Sequence, residues 1–309
     1  MNYEQWRQTA AQQLNTHNPD ENGKIDAMAL LQAVTHKSRA AILAFNDTTL
    51  TDQERSILDT FLQRRLQGEP IAYIVGEKEF WSLPLKVSAD TLIPRPDTEI
   101  LVERTMELAL VRLAQLQEEQ KCQTFGEKKS GRILSGLRIL DLGTGTGAIA
   151  LALAAELEPI TKRRQIPLEI IGVDNVPGVV ELAQQNALST GLSVRFLQSD
   201  WFDRIESKFD FIVANPPYIA QDDLHLSQGD VRFEPRSALV ATEQGYGDLR
   251  HIITAAPVFL KPNGWLLLEH GWQQGEKVRS IFQKNLWYDV ATIFDYGGNE
   301  RVTLGRWKR

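Results

Sequence analysis

The sequence predicts an α/β protein, a seven-stranded open sheet preceded by a small all-helical domain. Three observations carry that prediction. Apolar runs of strand length recur between residues 137 and 307, separated by stretches of helical pattern. The first of these runs enters a helix through a glycine-dense turn, the order of a nucleotide-binding unit. Residues 1–75 show only helical spacing of their apolar side chains. Together they give a helical domain at 1–75, a β-hairpin linker at 76–95 and a Rossmann-like domain at 96–309.

In the front domain, Thr51-Asp52-Gln53-Glu54 has the spacing of a capping box. Ile57, Leu58, Phe61, Leu62 and Leu66 then share one helical face, which builds the core, and Gly68 ends the helix. Phe80 to Val87 reads as the hairpin, and Ile100 to Gln117 as a helix. Glu118 to Ser135 reads as a charged, glycine-containing flexible connection, with Cys122 an incidental loop thiol.

Leu137 to Leu142 is the first sheet strand, followed by Gly143-Thr144-Gly145-Thr146-Gly147 and a helix from Ala148. Glycines let the backbone approach a ligand, and the helix start offers free N–H donors. With Ala148 the stretch satisfies G-x-G-x-x-A, so by itself it fits NAD and S-adenosylmethionine equally. Leu168 to Val173 delivers Asp174, a carboxylate suited to ribose hydroxyls or to a helix N-cap. Val194 to Gln198 leads to Asp200-Trp201, where an indole suits an adenine face or the core.

The fourth strand, Phe209 to Ala214, ends at Asn215-Pro216-Pro217-Tyr218. Asn215 offers a side-chain carbonyl, and proline has no N–H, which leaves the local carbonyls free to accept. Two acceptors on one NH2 group fix its orientation, and Tyr218 adds a flat face with an oxygen at its far end. A stiff Pro-Pro loop would carry the same residues; what separates the readings is the glycine turn in the same sheet. Ile219 to Ser237 has little periodicity and is expected as a lid over the substrate. Trp265 to Glu269 is strand five, with Val290 to Phe294 and Val302 to Trp307 as the closing pair.

A carboxamide clamp beside an adenosine pocket has no role in hydride transfer but suits methyl transfer, which needs a nitrogen held in line with an activated S–CH3 bond. Positioning of that kind supplies up to ~7–11 kcal/mol and requires no strong base. The acceptor can be an amide or the exocyclic amine of a base.

On these residues the chain resembles the HemK-type release factor glutamine methyltransferases, over nearly its whole length. The motifs are Arg65 to Gly76 with Glu79-Phe80, Leu92 to Glu99, Asp141 to Gly147, Asn215 to Tyr218, Phe233 to Arg236, and Gly297 to Arg301. The resemblance implies a class I methyltransferase domain, S-adenosyl-L-methionine as methyl donor, and a helical domain that recognises the partner. The implied substrate is the glutamine of a Gly-Gly-Gln motif in class I peptide chain release factors. Residue by residue, Gly143, Thr144, Gly145, Thr146, Gly147, Asp174, Trp201 and Asn215 would contact the cofactor. Asn215, Pro216, Pro217 and Tyr218 would hold the glutamine amide, with Asn215 catalytic. Charged insertions at Glu118–Ser135 and Ile160–Pro167 lengthen two connections, and Val176-Pro177 stands where a small polar cap is expected. Arg95, Asp97 and Glu99 fit either the pocket or ion pairs between domains.

A formal charge of −6 gives no general attraction to phosphate backbones, and residues 1–75 hold seven basic against nine acidic side chains. A protein partner therefore suits better than direct nucleic-acid binding. One cysteine cannot form an internal disulfide, which fits the cytoplasm; Met1 to Gln13 is polar and amphipathic, so no secretory signal is expected there, and no apolar run reaches about 18 residues. The histidines lack the spacing of a metal site, so no metal is expected, and the chain is expected as a monomer. Two rival functions stay open: a DNA adenine or RNA guanine amino methyltransferase, which would flip its base into the clamp, and a non-catalytic module that binds Gly-Gly-Gln.

Overall fold

The computed structural model describes residues 1–18, 22–124 and 136–308. It comprises two units, Met1–Glu77 with Leu224–Phe233, and Lys78–Asp223 with Glu234–Arg309. None of the described helices is long and apolar enough to cross a membrane.

The first unit contains α1 (Tyr3–His17), α2 (Gly23–Thr35), α3 (Arg39–Ala44), α4 (Asp52–Leu66) and α5 (Ile71–Val75). Its core packs Trp6, Ala10 and Leu14 of α1 against Ala27, Leu30 and Leu31 of α2 and Leu58 and Leu62 of α4. The expected capping box is formed: Thr51 Oγ1 accepts from the Glu54 amide at 3.2 Å and Glu54 Oε2 from the Thr51 amide at 2.8 Å. The apolar stripe of α4 is narrower than expected. Ile57 is exposed because the neighbouring helices cover only the Leu58–Leu62 side. Gly68 takes the left-handed conformation that ends the helix, at φ +88°. Leu224–Phe233, expected within a lid, holds two 3-10 turns, and its Asp230 is ion-paired with buried Arg65 at 3.0 Å.

In the second unit, β1 (Glu77–Phe80) and β2 (Leu83–Lys86) form the hairpin through Trp81 and Ser82, both left-handed, as a two-residue turn matched to strand twist requires. α6 (Glu99–Thr124) runs past its expected end at Gln117. The charged residues that suggested a loop are strong helix formers, held by Arg112–Glu119 and Lys121–Glu118 pairs at 2.8 and 2.7 Å. Cys122 thus has helical backbone instead of lying in a loop, and the remainder of the expected connection, 125–135, lies outside the described residues.

The sheet is built from β3 (Leu137–Leu142), β4 (Leu168–Asp174), β5 (Arg195–Gln198) and β6 (Phe209–Ala214), then β7 (Leu260–Glu269), β8 (Tyr288–Phe294) and β9 (Glu300–Arg306). Their order is β5-β4-β3-β6-β7-β9-β8, with β9 antiparallel to both neighbours and the other pairings parallel. The intervening helices are α7 (Ala148–Arg164), α8 (Pro177–Thr190), α9 (Arg236–Leu239), α10 (Thr242–Gly245), α11 (Gly247–Phe259) and α12 (Gly275–Lys284). Most of the Ile160–Pro167 insertion extends α7 rather than a loop. At the start of α8, Val176 is the N-cap without a side-chain bond; Pro177 at the first helical position suits a site where no N–H is needed.

Strand residues alternate between two apolar faces. Ile139, Ile170, Val213 and Leu267 pack beneath α6, α7 and α8, while Leu140, Ile171, Ile212 and Leu266 pack against α11 and α12. Both faces being covered, the strands read as continuous apolar runs. The chain moves outward from β3 to β5 and returns to β6 on the other side of β3. That reversal opens a crevice at the carboxyl ends of β3 and β6.

Candidate active site

The crevice holds a cleft lined by residues that follow β3, β4, β5 and β6 and by the segment before α6. Of the residues singled out in the sequence, Gly143, Thr144, Gly145, Thr146, Asp174, Trp201, Asn215 and Pro217 line it. Gly147, Pro216 and Tyr218 do not.

The glycine turn divides its duties. Gly145, at φ +54°, would point a β-carbon into open space, so its backbone borders the cleft directly. Gly147, at φ +83°, would place a β-carbon 2.8 Å from Phe196, so glycine there serves helix–sheet packing. The Thr144 amide donates to the Val173 carbonyl at 2.8 Å, tying the turn to the end of β4. Asn186 of α8, fully buried, donates to the Thr146 carbonyl at 2.9 Å and brackets Lys86 of the hairpin through both its N–H and its carbonyl.

Asp174 is half-buried at the end of β4, its Oδ2 accepting from the Gly145 amide and its Oδ1 from the Val176 amide, each at 3.1 Å. Burial raises its pKa, and the same amides oppose the rise. Each oxygen keeps a further lone pair for a hydroxyl donor. Trp201 sits in left-handed backbone, φ +43°, with its ring 3.5 Å from where a Gly143 β-carbon would lie. A non-glycine residue held there marks a site where the surroundings impose the conformation. Asp141 is wholly buried below the turn and accepts from the Thr144 hydroxyl at 2.6 Å. Burial pushes its pKa to about 7, against the Thr144 hydrogen bond.

Asn215 lies one residue beyond β6, its Nδ2 donating to the Thr98 hydroxyl at 3.2 Å, which leaves its carbonyl oxygen to accept. Pro216 is buried in the loop, and Tyr218 points its hydroxyl away from the cleft to Glu269 Oε1 at 3.3 Å. Burial raises the Tyr218 phenol, and the Glu269 charge raises it further.

Arg95 borders the cleft and pairs with Glu234, which is buried and also accepts from the Ile93 amide at 3.1 Å. Asp97 pairs with Arg301 at 3.0 Å, and Glu99 accepts from the Trp81 amide at 3.2 Å. All three therefore bind groups within the second unit. Thr98, Asn186 and Glu269 were missed in the sequence. Glu269 stands at the carboxyl end of a strand like Asp174, and the same strand-end reasoning would have found it; Thr98 and Asn186 carry no such signal.

Comparison with known proteins places this geometry. Residues 5–76 match the family model of the PrmC N-terminal domain, and residues 133–299 match that of a methyltransferase domain. The chain is 61% identical over its whole length to the release factor glutamine methyltransferase of Haemophilus influenzae, covering all of that protein. It is 57% identical to that of Pasteurella multocida, again covering both chains completely, and 50% identical to that of Escherichia coli over 99% of each. With a seven-stranded class I methyltransferase sheet, a carboxamide loop beside a glycine turn, and end-to-end similarity of this degree, the chain belongs to the family of release factor glutamine methyltransferases.

Proposed function

We propose that the chain transfers the methyl group of S-adenosyl-L-methionine to the side-chain amide nitrogen of the glutamine in the Gly-Gly-Gln motif of class I peptide chain release factors, with Asn215 orienting that nitrogen. The observation that carries the role of Asn215 is its hydrogen bond to Thr98. With its NH2 committed at 3.2 Å, the group it offers to an incoming amide is an acceptor.

The residues present fit the methyl donor. The open space beside Gly145 suits a cofactor backbone, the spare lone pairs of Asp174 suit ribose hydroxyls, and the Trp201 ring suits an adenine edge. When bound, the cofactor supplies a sulfonium methyl already activated for displacement. Asn215 Oδ1, the acceptor that borders the cleft, would hold an amide proton of the substrate and so orient its nitrogen for transfer. Transfer would exchange the cofactor's S–C bond for an N–C bond, and the surplus amide proton would leave to solvent. No strong base is needed among the residues of this cleft.

In this reading residues 1–75 recognise the release factor, 76–95 join the domains and 96–309 catalyse, in the cytoplasm and without a metal. The test supplies labelled methyl donor with a release factor, with DNA and with RNA, and locates the methyl by mass spectrometry. Label on the glutamine is expected; label only in nucleic acid would overturn the reading. Asn215→Ala should lower turnover by roughly 10²–10³-fold, the scale of one lost transition-state contact, with a smaller effect on cofactor affinity.

A further inference from the structure

We propose that Gln274 is a positioning residue for the reaction: its buried carboxamide fixes the far end of the loop Asn215–Tyr218, and through that stiff loop it sets where the Asn215 side chain stands in the cleft. This rests on the reading of Asn215 given above.

Gln274 stands just before α12 and is 9% exposed. Its Nε2 donates to the Tyr218 carbonyl at 3.0 Å and, more weakly, to the Gly245 carbonyl at 3.4 Å, while its Oε1 accepts from the Gly271 amide at 2.8 Å. One carboxamide thus joins the loops that follow β6 and β7 to the end of α10. Methionine would supply none of these groups, and an ionised glutamate would set an acceptor against two carbonyls. Gly245 closes the other side of the Tyr218 carbonyl. At φ +84° its β-carbon would lie 2.3 Å from that oxygen, so the carbonyl rests directly against the glycine. The next residue is tied as well: the Ile219 amide donates to the Leu239 carbonyl at 2.9 Å, and its own carbonyl accepts from the Ala241 amide at 3.0 Å.

The near end of the loop is held by the sheet, where Ala214 is the register partner of Leu142 on one side and of Leu268 on the other. Only Asn215, Pro216 and Pro217 lie between that anchor and Tyr218. Both prolines have a fixed φ, and Asn215 and Pro216, each preceding a proline, are confined to extended backbone. A chain this stiff cannot absorb a shift of Tyr218 locally, so the shift reaches Asn215 and its 3.2 Å bond to Thr98. Gln274 itself does not line the cleft, so its effect is on alignment and not on contact with substrate or cofactor.

Gln274→Met, Gln274→Glu, Asn215→Ala and the double variant Asn215→Ala/Gln274→Met are compared with wild type on a release factor at saturating methyl donor. Cofactor affinity is measured by calorimetry and folding by circular dichroism. Both Gln274 variants should lower kcat roughly tenfold to 10²-fold, the upper figure being that of a 1 Å misplacement, with cofactor Kd nearly unchanged. Because Gln274 acts through Asn215, the double variant should be no slower than Asn215→Ala alone; a merely structural role would add its own loss. A folded Gln274→Met enzyme at the wild-type rate, a cofactor affinity that falls as far as kcat, or losses that multiply would each overturn the proposal. If Gln274→Met does not fold, Gln274→Glu, which keeps the side-chain length and the acceptor for Gly271, decides through the same comparison. Should Asn215→Ala also run at the wild-type rate, the reading of Asn215 has failed and the proposal with it; if only Asn215→Ala is slow, that reading stands and the positioning role falls.

Discussion

Asp141 shows at the scale of one residue how the site is held. Its carboxyl lies under the glycine turn with no exposure, and burial raises its pKa to about 7. Because the folded value exceeds the unfolded one, the native state binds the extra proton between about pH 4 and 7, and the stability this gives is lost as pH rises through that window. Asp141→Asn has no such loss. Its stability relative to wild type should improve on raising pH from 4 to 7, by up to on the order of 4 kcal/mol, and level off above. Chemical denaturation of both proteins across that range checks it, and a pH-independent difference would mean that Asp141 is charged throughout. Burial of this kind has no local signature: Asp141 stands in the sequence as one polar letter in an apolar strand, and so does Asp210, whose partners Arg112 and Lys261 come from distant elements.

The glycine turn, at the scale of an element, makes two of its glycines separable. Both are left-handed, so alanine at either costs about 1–2 kcal/mol in backbone strain. Gly145→Ala should add little to that and instead weaken cofactor binding, because its new methyl enters the cleft. Gly147→Ala should lose more stability, its methyl meeting Phe196 at 2.8 Å. Denaturation and calorimetry on the two variants should rank them in opposite orders. Elements were the most legible level of this chain. The capping box at Thr51–Glu54, the strand, turn and helix start at 137–154 and the loop after Ala214 follow local rules of hydrogen bonding and period. The ends of α6 and α7 were misjudged because Glu, Gln, Lys and Arg suit a solvated helix as well as a loop, and pattern alone does not separate the two. Tyr218 was expected to face the acceptor. Its hydroxyl instead turns to Glu269, a partner 51 positions away that no window of sequence contains.

For the whole molecule, the first unit takes in a segment far from it in sequence. Arg65 is buried and pairs with Asp26 of α2 at 2.7 Å and with Asp230 of Leu224–Phe233 at 3.0 Å. Arg65→Met should leave those carboxylates without their shared partner, and limited proteolysis should then cut within 224–233 several-fold faster. Equal cleavage rates would show that other contacts hold the segment. In the proposed reading the second unit would keep its donor and acceptor sides on adjacent strands: Leu142, which precedes the glycine turn, is the register partner of Ala214, which precedes Asn215. Neighbouring strands lie about 4.8 Å apart, a spacing set by peptide hydrogen bonding and indifferent to side chains. Substitutions after Ala214 can therefore retune which nitrogen is admitted, while the jump the carbon makes stays the same length.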